Sequence, residues 1–231
     1  MIFQILYNLY NFDINKFKEN SIKIMEKIRD KYHILMKTVG DINEHLPTLF
    51  RYAQECDSVF ETGVRGCVSS WALAYGLLNS KNNNIPKKML LNDITNCDIT
   101  EFLDATSSEK ISINYIWKNN LELEFNATYD LTFIDTWHVY GQLKRELEKF
   151  NIITNKYIIM HDTTVDEWQG ETIRNGWDAS QQSLETSIPV EEIKKGLWPA
   201  IQEFLQNNPN WVLHERYTNN NGLTILKKID T

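Results

Sequence analysis

Five short apolar runs, Ser58–Glu61, Lys88–Leu91, Ser112–Ile116, Leu131–Ile134 and Tyr157–Met160, constrain this chain most. Each is rich in Ile, Val, Leu or Phe and ends at a glycine or a polar residue. Continuous apolar runs of this length suit central parallel strands covered on both faces. The stretches between them, such as Ser69–Leu78 and Tyr140–Phe150, are long enough to be crossover helices. The pattern therefore predicts repeated βα units: an α/β fold with a doubly wound, mostly parallel sheet. Near the end, Trp211–Tyr217, Asn219-Asn220-Asn221-Gly222 and Leu223–Lys228 predict a hairpin around an Asn-Gly turn.

The first part of the chain has a different period. Ile14, Phe17, Ile24, Ile28 and Leu35 fall near helical spacing, so residues 14–37 predict an amphipathic helix, with Asp13 as N-cap and Gly40 as its stop. A second helix is expected over 42–55. Residues 1–54 thus form a helical segment packed on a core domain of residues 55–231. The start, Met1 to Tyr7, is apolar, but it lacks a basic flank and a small-residue cleavage site. Asn8, Asn11 and Asp13 interrupt it well short of the roughly 20 residues a membrane helix needs. It is expected to be a packing segment and implies a homo-oligomer. Residues 163–195, polar and punctuated by Gly170, Gly176 and Pro189, are too long for an ordinary connection and predict an active-site lid. Trp198-Pro199 should open a helix through Leu205 with Trp198 in the core, and the Asn runs at 82–84 and 219–221 should be loop tips.

Composition narrows the partners. A chain of 231 residues can bury one sizeable core. Its net charge of −7, with no Lys/Arg cluster longer than a pair or triplet, argues against nucleic acid, which rewards a basic footprint. Cys56, Cys67 and Cys97 form no paired motif, which fits a reducing, cytoplasmic location. No membrane partner is expected.

Four strand ends carry the polar groups of a candidate site. Glu61-Thr62-Gly63-Val64-Arg65-Gly66 follows the first apolar run, and glycines there let the backbone approach a ligand closely. Taken alone it is equally a plain tight turn. Asp93 ends the second run at the distance where nucleotide-binding α/β folds hold ribose hydroxyls, or else caps a helix over 98–106. Asp135 ends the fourth run, in Phe133-Ile134-Asp135-Thr136-Trp137-His138. His161-Asp162 ends the fifth. Asp135, His161 and Asp162 would face one crevice, and carboxylates with an imidazole suit Mg2+ or Mn2+. The competing readings are that Asp162 caps a turn and that His161 is a satisfied buried histidine.

These residues together resemble the class I S-adenosylmethionine (SAM)-dependent methyltransferases. The order Glu-x-Gly-x-x-Gly, an acid after the second strand, Phe-Ile-Asp-x-x-His after the fourth and His-Asp-Thr after the fifth carries the resemblance, over about residues 55–228. The closing Asn-Gly-Leu-Thr-Ile-Leu resembles the reversed seventh strand of that fold. Within it the chain is similar to metal-dependent O-methyltransferases, in the branch of cephalosporin hydroxylase-like and macrolide-sugar enzymes. The resemblance implies Glu61 and Gly63 against the methionine part of SAM, Gly66 opening the next helix, and Asp93 on the ribose. It puts Asn119 or Asn120 near adenine, and Asp135, Thr136 and Trp137 also along the cofactor. It further implies a metal on Asp135, with His138 as general base. The chain departs from the family at the fifth strand, where catechol-type enzymes have Asp-Asn and sugar-modifying ones an acidic pair. It also lacks the fuller Gly-x-Gly-x-Gly turn.

The expected chemistry is transfer of a methyl group from SAM to a hydroxyl. The metal would lower that hydroxyl's pKa, and His138, neutral near its ordinary pKa, would take the proton. The lid would shape acceptor choice, with Trp168 and Trp177 stacking on a sugar ring and Glu167, Glu171 and Arg174 binding hydroxyls, or with both tryptophans simply packing it down. Sugar, phenol and small natural-product acceptors stay open; the resemblance points to a glycan or nucleotide-sugar hydroxyl. Two rivals remain. A nicotinamide-dependent oxidoreductase shares the glycine turn and the acid but needs Gly-x-Gly-x-x-Gly spacing, absent here. The other is a non-catalytic binding protein of the same fold.

Overall fold

The computed structural model describes residues 25–82, 85–107 and 111–229. The apolar start, the Asp13 cap, the beginning of the first helix, and Asn83 and Asn84 lie outside these residues.

Seven strands form one sheet in the order β3-β2-β1-β4-β5-β7-β6. They are β1 (Ser58–Thr62), β2 (Lys87–Asp93), β3 (Ile111–Trp117), β4 (Tyr129–Ile134), β5 (Thr154–His161), β6 (Trp211–Tyr217) and β7 (Leu223–Lys228). The first five are parallel, and β7 pairs antiparallel with both β5 and β6. Every expected strand is present, most extended by a residue or more. The α/β, mostly parallel expectation holds, with the last strand reversed.

Strand residues alternate between two cores, as a period of two requires. Val59, Leu131, Phe133 and Ile159 point into one, with the helix over residues 25–37 (α1), α2 (Leu46–Ala53), α3 (Val68–Leu78) and α4 (Thr100–Thr106). Phe60, Ile134, Ile158 and Met160 point into the other, with α5 (Tyr140–Phe150) and α9 (Leu197–Asn207). On α5 the buried Leu143, Leu147 and Phe150 make one apolar stripe. Burying a side chain of that size contributes about 1.5–3 kcal/mol. The helix α3 is buried nearly all round, including Trp71, Leu73 and Leu77, which fits a helix wedged between the sheet and the N-terminal helices.

Three expectations need correction. Residues 42–55 are not one helix, because a 3-10 turn at Asn43–His45 precedes α2 and Pro47 sits in its first turn. Trp198 is half-buried rather than in the core; it packs against the second core from outside, with the Arg216 guanidinium 3.8 Å from its ring centre. Asn219–Asn221 are not a free loop tip. Asn220 and Asn221, with Gly222, take left-handed backbone at φ 44°, 67° and 97°. This turn folds onto the strand ends, where Thr164 and Val165 N–H donate to Asn221 O.

Residues 163–195, expected as a lid, are structured throughout. They hold α6 (Glu171–Arg174), α7 (Ala179–Thr186) and α8 (Val190–Lys194), anchored by a small core of Val139, Ala179, Ile188 and Ile193.

Candidate active site

The strand order reverses between β1 and β4, and the crevice beyond their carboxyl ends is where such sheets bind ligands. A cavity of about 460 Å3 opens there. Of the residues singled out from the sequence, Gly63, Asp93, Asn119, Asn120, Asp135, Thr136, Trp137, His138, Asp162 and Glu171 line it. Glu61, Gly66 and His161 do not.

The close approach falls on Gly63 alone. Its φ is +91°, and a Cβ there would overlap the Asp135 carbonyl. Backbone bonds fix the crossing: Gly63 N–H donates to Asn92 O at 2.9 Å and Asp135 N–H to Thr62 O at 3.0 Å. Gly66 meets nothing within 4 Å and has no positive φ, so nothing here requires glycine; Arg65 and Cys67 take left-handed backbone instead. Glu61 is fully buried behind the wall, where it accepts from Ser69 Oγ. Burial pushes its carboxyl up to about 8, against hydrogen bonds from Ser69 and Ser70.

Asp93 does not cap the helix after it; Asp98 bonds Thr100 N–H there instead. Its carboxylate accepts from Arg65 N–H at 2.9 Å, Thr95 N–H at 2.8 Å and Thr95 Oγ1 at 2.7 Å. Burial would raise its pKa, but those donors outweigh it and hold Asp93 below the usual carboxylate range. Asp93 is thus an ionised acceptor at the cavity edge.

Asp135, His138, His161 and Asp162 converge as expected. His161 is buried, with Nε2 3.1 Å from Asp41 O and 3.2 Å from Asn220 O. Two carbonyls at one ring nitrogen fix it as the donor, so Nδ1 is turned toward Asp135 Oδ1, 3.4 Å away. The satisfied-histidine and ligand readings are therefore compatible: one nitrogen is satisfied and the other faces the acids. Asp162 takes left-handed backbone, at φ 58°, and is 6% exposed; its Oδ1 is buried without a hydrogen-bond partner. Asp135 is held well below the carboxylate range, as its bonds to His138 and His161 outweigh burial.

His138 departs from expectation. Its Nε2 lies 3.3 Å from Asp135 Oδ1, and its Nδ1 lies 3.1 Å from Asp162 and 3.4 Å from Asp166. Burial pulls the ring's pKa down, but carboxylates on both sides outweigh it and hold it well above the imidazole range. The surrounding acids thus favour the protonated ring over the neutral one. The local sequence could not show this, because Asp166 and Glu171 come from the lid.

Sequence reasoning missed Asp166, which is fully buried and gripped by Arg174 at 2.6 and 2.9 Å. Glu171 N–H donates to His138 O at 2.9 Å. Glu167 pairs with Arg216 at 2.7 Å. Arg174 and Glu167 are thus engaged within the protein, whereas Glu171 lines the cavity; Trp168 and Trp177 are largely exposed and off the cavity wall. Thr186 and Ile188 are the lid residues that line it with Glu171, and Asp41 reaches it from the N-terminal segment.

Two side-chain groups have the spacing to hold an ion: Asp135, His161 and Asp162, and His138, Asp162 and Asp166. In the second, Arg174 already neutralises Asp166. The first contains the unpartnered Asp162 Oδ1 and the oriented His161 Nδ1, and its donor set suits a divalent cation.

The far edge of the sheet decides between nucleotide-binding folds. A dinucleotide-binding sheet runs 3-2-1-4-5-6; here a reversed β7 is inserted between β5 and β6. The fold is that of the class I methyltransferases. Solved structures of that fold match over most of the chain. An O-methyltransferase from Bacillus cereus, in complex with S-adenosylhomocysteine (SAH), is 15% identical, with a TM-score of 0.54 over 89% of this chain and 90% of that one. The O-methyltransferase TomG from Streptomyces achromogenes, in complex with SAM, is 10% identical, with a TM-score of 0.52 over 90% of each chain. The N-methyltransferase NodS from Bradyrhizobium japonicum is 12% identical, with a TM-score of 0.52 over 82% of this chain and 97% of that one. No protein-family model and no curated protein matches the sequence. Both O- and N-methyltransferases thus share this class I methyltransferase architecture. Among the described residues no helix is long and apolar enough to cross a membrane.

Proposed function

We propose that this chain is a SAM-dependent O-methyltransferase acting on a hydroxyl of a sugar or glycan precursor, assisted by Mg2+ or Mn2+. The observation that carries the reading is the joining of Gly63, Asp93, Asp135 and His138 in one cavity at the reversal of strand order. Gly63 lets the end of β1 pass against the Asp135 backbone, forming the wall along which the amino-acid end of SAM would lie, and the ionised Asp93 would accept from ribose hydroxyls.

Bound SAM supplies an electrophilic methyl carbon, and a bound divalent cation supplies Lewis acidity toward a hydroxyl oxygen. Asp135, Asp162 and His161 Nδ1 would hold the cation. The protein's remaining task is alignment of acceptor oxygen and methyl group. Glu171 fixes the His138 backbone, and Asp135 and Asp162 bracket its ring. With the charge of Asp135 and Asp162 drawn toward a bound cation, the His138 ring would be free to take the acceptor's proton. Thr186 and Ile188 bound the acceptor's space.

Thermal shifts with SAM, SAH and NAD, followed by labelled methyl transfer to sugars, nucleotide sugars and phenols with and without EDTA, test this. Stabilisation by SAM and SAH and EDTA-sensitive labelling of a sugar are expected. Stabilisation by NAD alone would favour the oxidoreductase. SAH binding with no labelled product from any acceptor would favour a non-catalytic protein.

A further inference from the structure

Beneath the cavity floor lies a buried carboxylate that the proposed chemistry does not use. Glu146, on α5, is fully buried. Its Oε1 accepts from Asn120 Nδ2 at 2.5 Å, Thr136 Oγ1 at 2.6 Å and Gln142 Nε2 at 2.8 Å. Its Oε2 is buried without a partner. A half-satisfied buried carboxylate is a poor way to hold a helix on a sheet, and an apolar residue there would pack more favourably.

The hydrogen bonds around it have a direction. Asn120 Nδ2 also donates to Thr62 Oγ1 at 3.0 Å, and Thr62 Oγ1 donates to Asn92 Oδ1 at 2.8 Å. Gln142 Nε2 donates its second proton to Asn120 Oδ1 at 3.1 Å. Both amide protons of Asn120 and both of Gln142 are therefore committed inside the protein. Among the described residues, the Gln142 carboxamide keeps only its oxygen unpaired, and Gln142 lines the cavity. Asn119, also on the wall, is fixed the opposite way: its Oδ1 accepts from Leu121 N–H at 3.0 Å, leaving its amide protons. An amide can present either end. A carboxylate, which only accepts, removes that freedom by drawing the donors to itself.

We propose that Glu146 is a positioning residue that makes the cavity selective for an adenine base. It leaves the Gln142 oxygen as an acceptor on a cavity wall that also carries the Asn119 amide donor. Adenine carries an amino donor next to a ring-nitrogen acceptor, which complements that pair. Hypoxanthine carries an oxo acceptor next to an N–H donor and does not. The proposal rests on the SAM reading above and adds how the base is chosen.

Calorimetric titration of the full chain with SAH and with its deaminated analogue S-inosylhomocysteine tests it without any methyl acceptor. The wild type should prefer SAH by about 10- to 100-fold, the cost of leaving a buried donor or acceptor unpaired. Glu146→Leu should cut that preference to within about threefold by weakening SAH alone, and Glu146→Gln, whose amide brings donors of its own and can present either end, should keep only part of it. Gln142→Ala, at the cavity wall, should lose the preference with little change in melting temperature and covers the case in which Glu146→Leu does not fold. Equal loss of both ligands, or an unchanged preference in Gln142→Ala, would overturn the proposal. No SAH binding by the wild type would instead overturn the cofactor reading, and this one with it.

Discussion

Asp162 Oδ2 lies 3.1 Å from His138 Nδ1, so the acid closing β5 and the imidazole beyond β4 meet across the cavity. Asp162 reaches this position from a left-handed backbone, at φ 58°, that non-glycine residues seldom adopt. Backbone strain of this kind is most informative where it aims a functional side chain, and here it aims one carboxylate oxygen at His138 and leaves the other unpaired.

Asp162→Ala should lower affinity for Mg2+ or Mn2+ by at least about tenfold, in line with the loss of a ligand or its support. Mn2+ titration followed by electron paramagnetic resonance, with SAH present, reads this directly. Unchanged affinity would remove Asp162 from the ion site.

His138→Ala should reduce methyl transfer by about 10²- to 10⁴-fold, the usual weight of a positioned base. The Kd for SAH should stay within about twofold, since the ring faces the acids rather than Gly63 or Asp93. A fully active variant would assign proton removal elsewhere.

Gly63→Ala and Gly66→Ala should behave oppositely. At Gly63 a Cβ would overlap the Asp135 carbonyl and φ is +91°, so the variant should be strongly destabilised, by about 2–4 kcal/mol, and lose SAH binding. At Gly66 nothing lies within 4 Å, and the change should fall within about 0.5 kcal/mol. Chemical denaturation of both, with SAH titration, checks the pair; similar losses at the two sites would contradict it.

Glu61 should make stability depend on pH. Burial raises its carboxyl from the usual 4.5 to about 8 in the folded protein. Between those values the unfolded chain loses the proton that the folded chain keeps, so its contribution to stability falls as pH rises, by up to about 1.4 kcal/mol per unit. Glu61→Gln lacks this slope. Urea denaturation from pH 5 to 8 should show the variant gaining on the wild type throughout that window, and a constant difference would show that Glu61 does not titrate so.

Much of the fold was legible because buried parallel strands need continuous apolar runs, and the runs ending near Glu61, Asp93, Asp135 and His161 are visible without neighbours. The hairpin was legible because left-handed backbone at 220–222 favours asparagine and glycine. Those strand ends also marked most of the site, since the ends of parallel strands face one crevice whatever surrounds them.

Residues that act through distant partners were not legible. Asp166 reads as one more acid in a polar stretch, Glu146 as an outward charge on an amphipathic helix, and Asp41 as part of a loop. Each acquires its role only when folding brings it against His138, Asn120 or His161. The lid's charged groups looked available because a sequence lists charges without their pairings, and folding spends Arg174 on Asp166 and Glu167 on Arg216.

Periodicity and local backbone preference suffice for the α/β layering, the reversed closing strand and the acids at the strand ends, all of which can be read along the chain. That Gly63 rather than Gly66 makes the close approach, and that carboxylates bracket His138 and raise its pKa, came from the folded arrangement. It alone turned His161 Nδ1 toward Asp135. Those outcomes depend on distances between segments remote in the chain, and on burial that strengthens each charge's effect on the next.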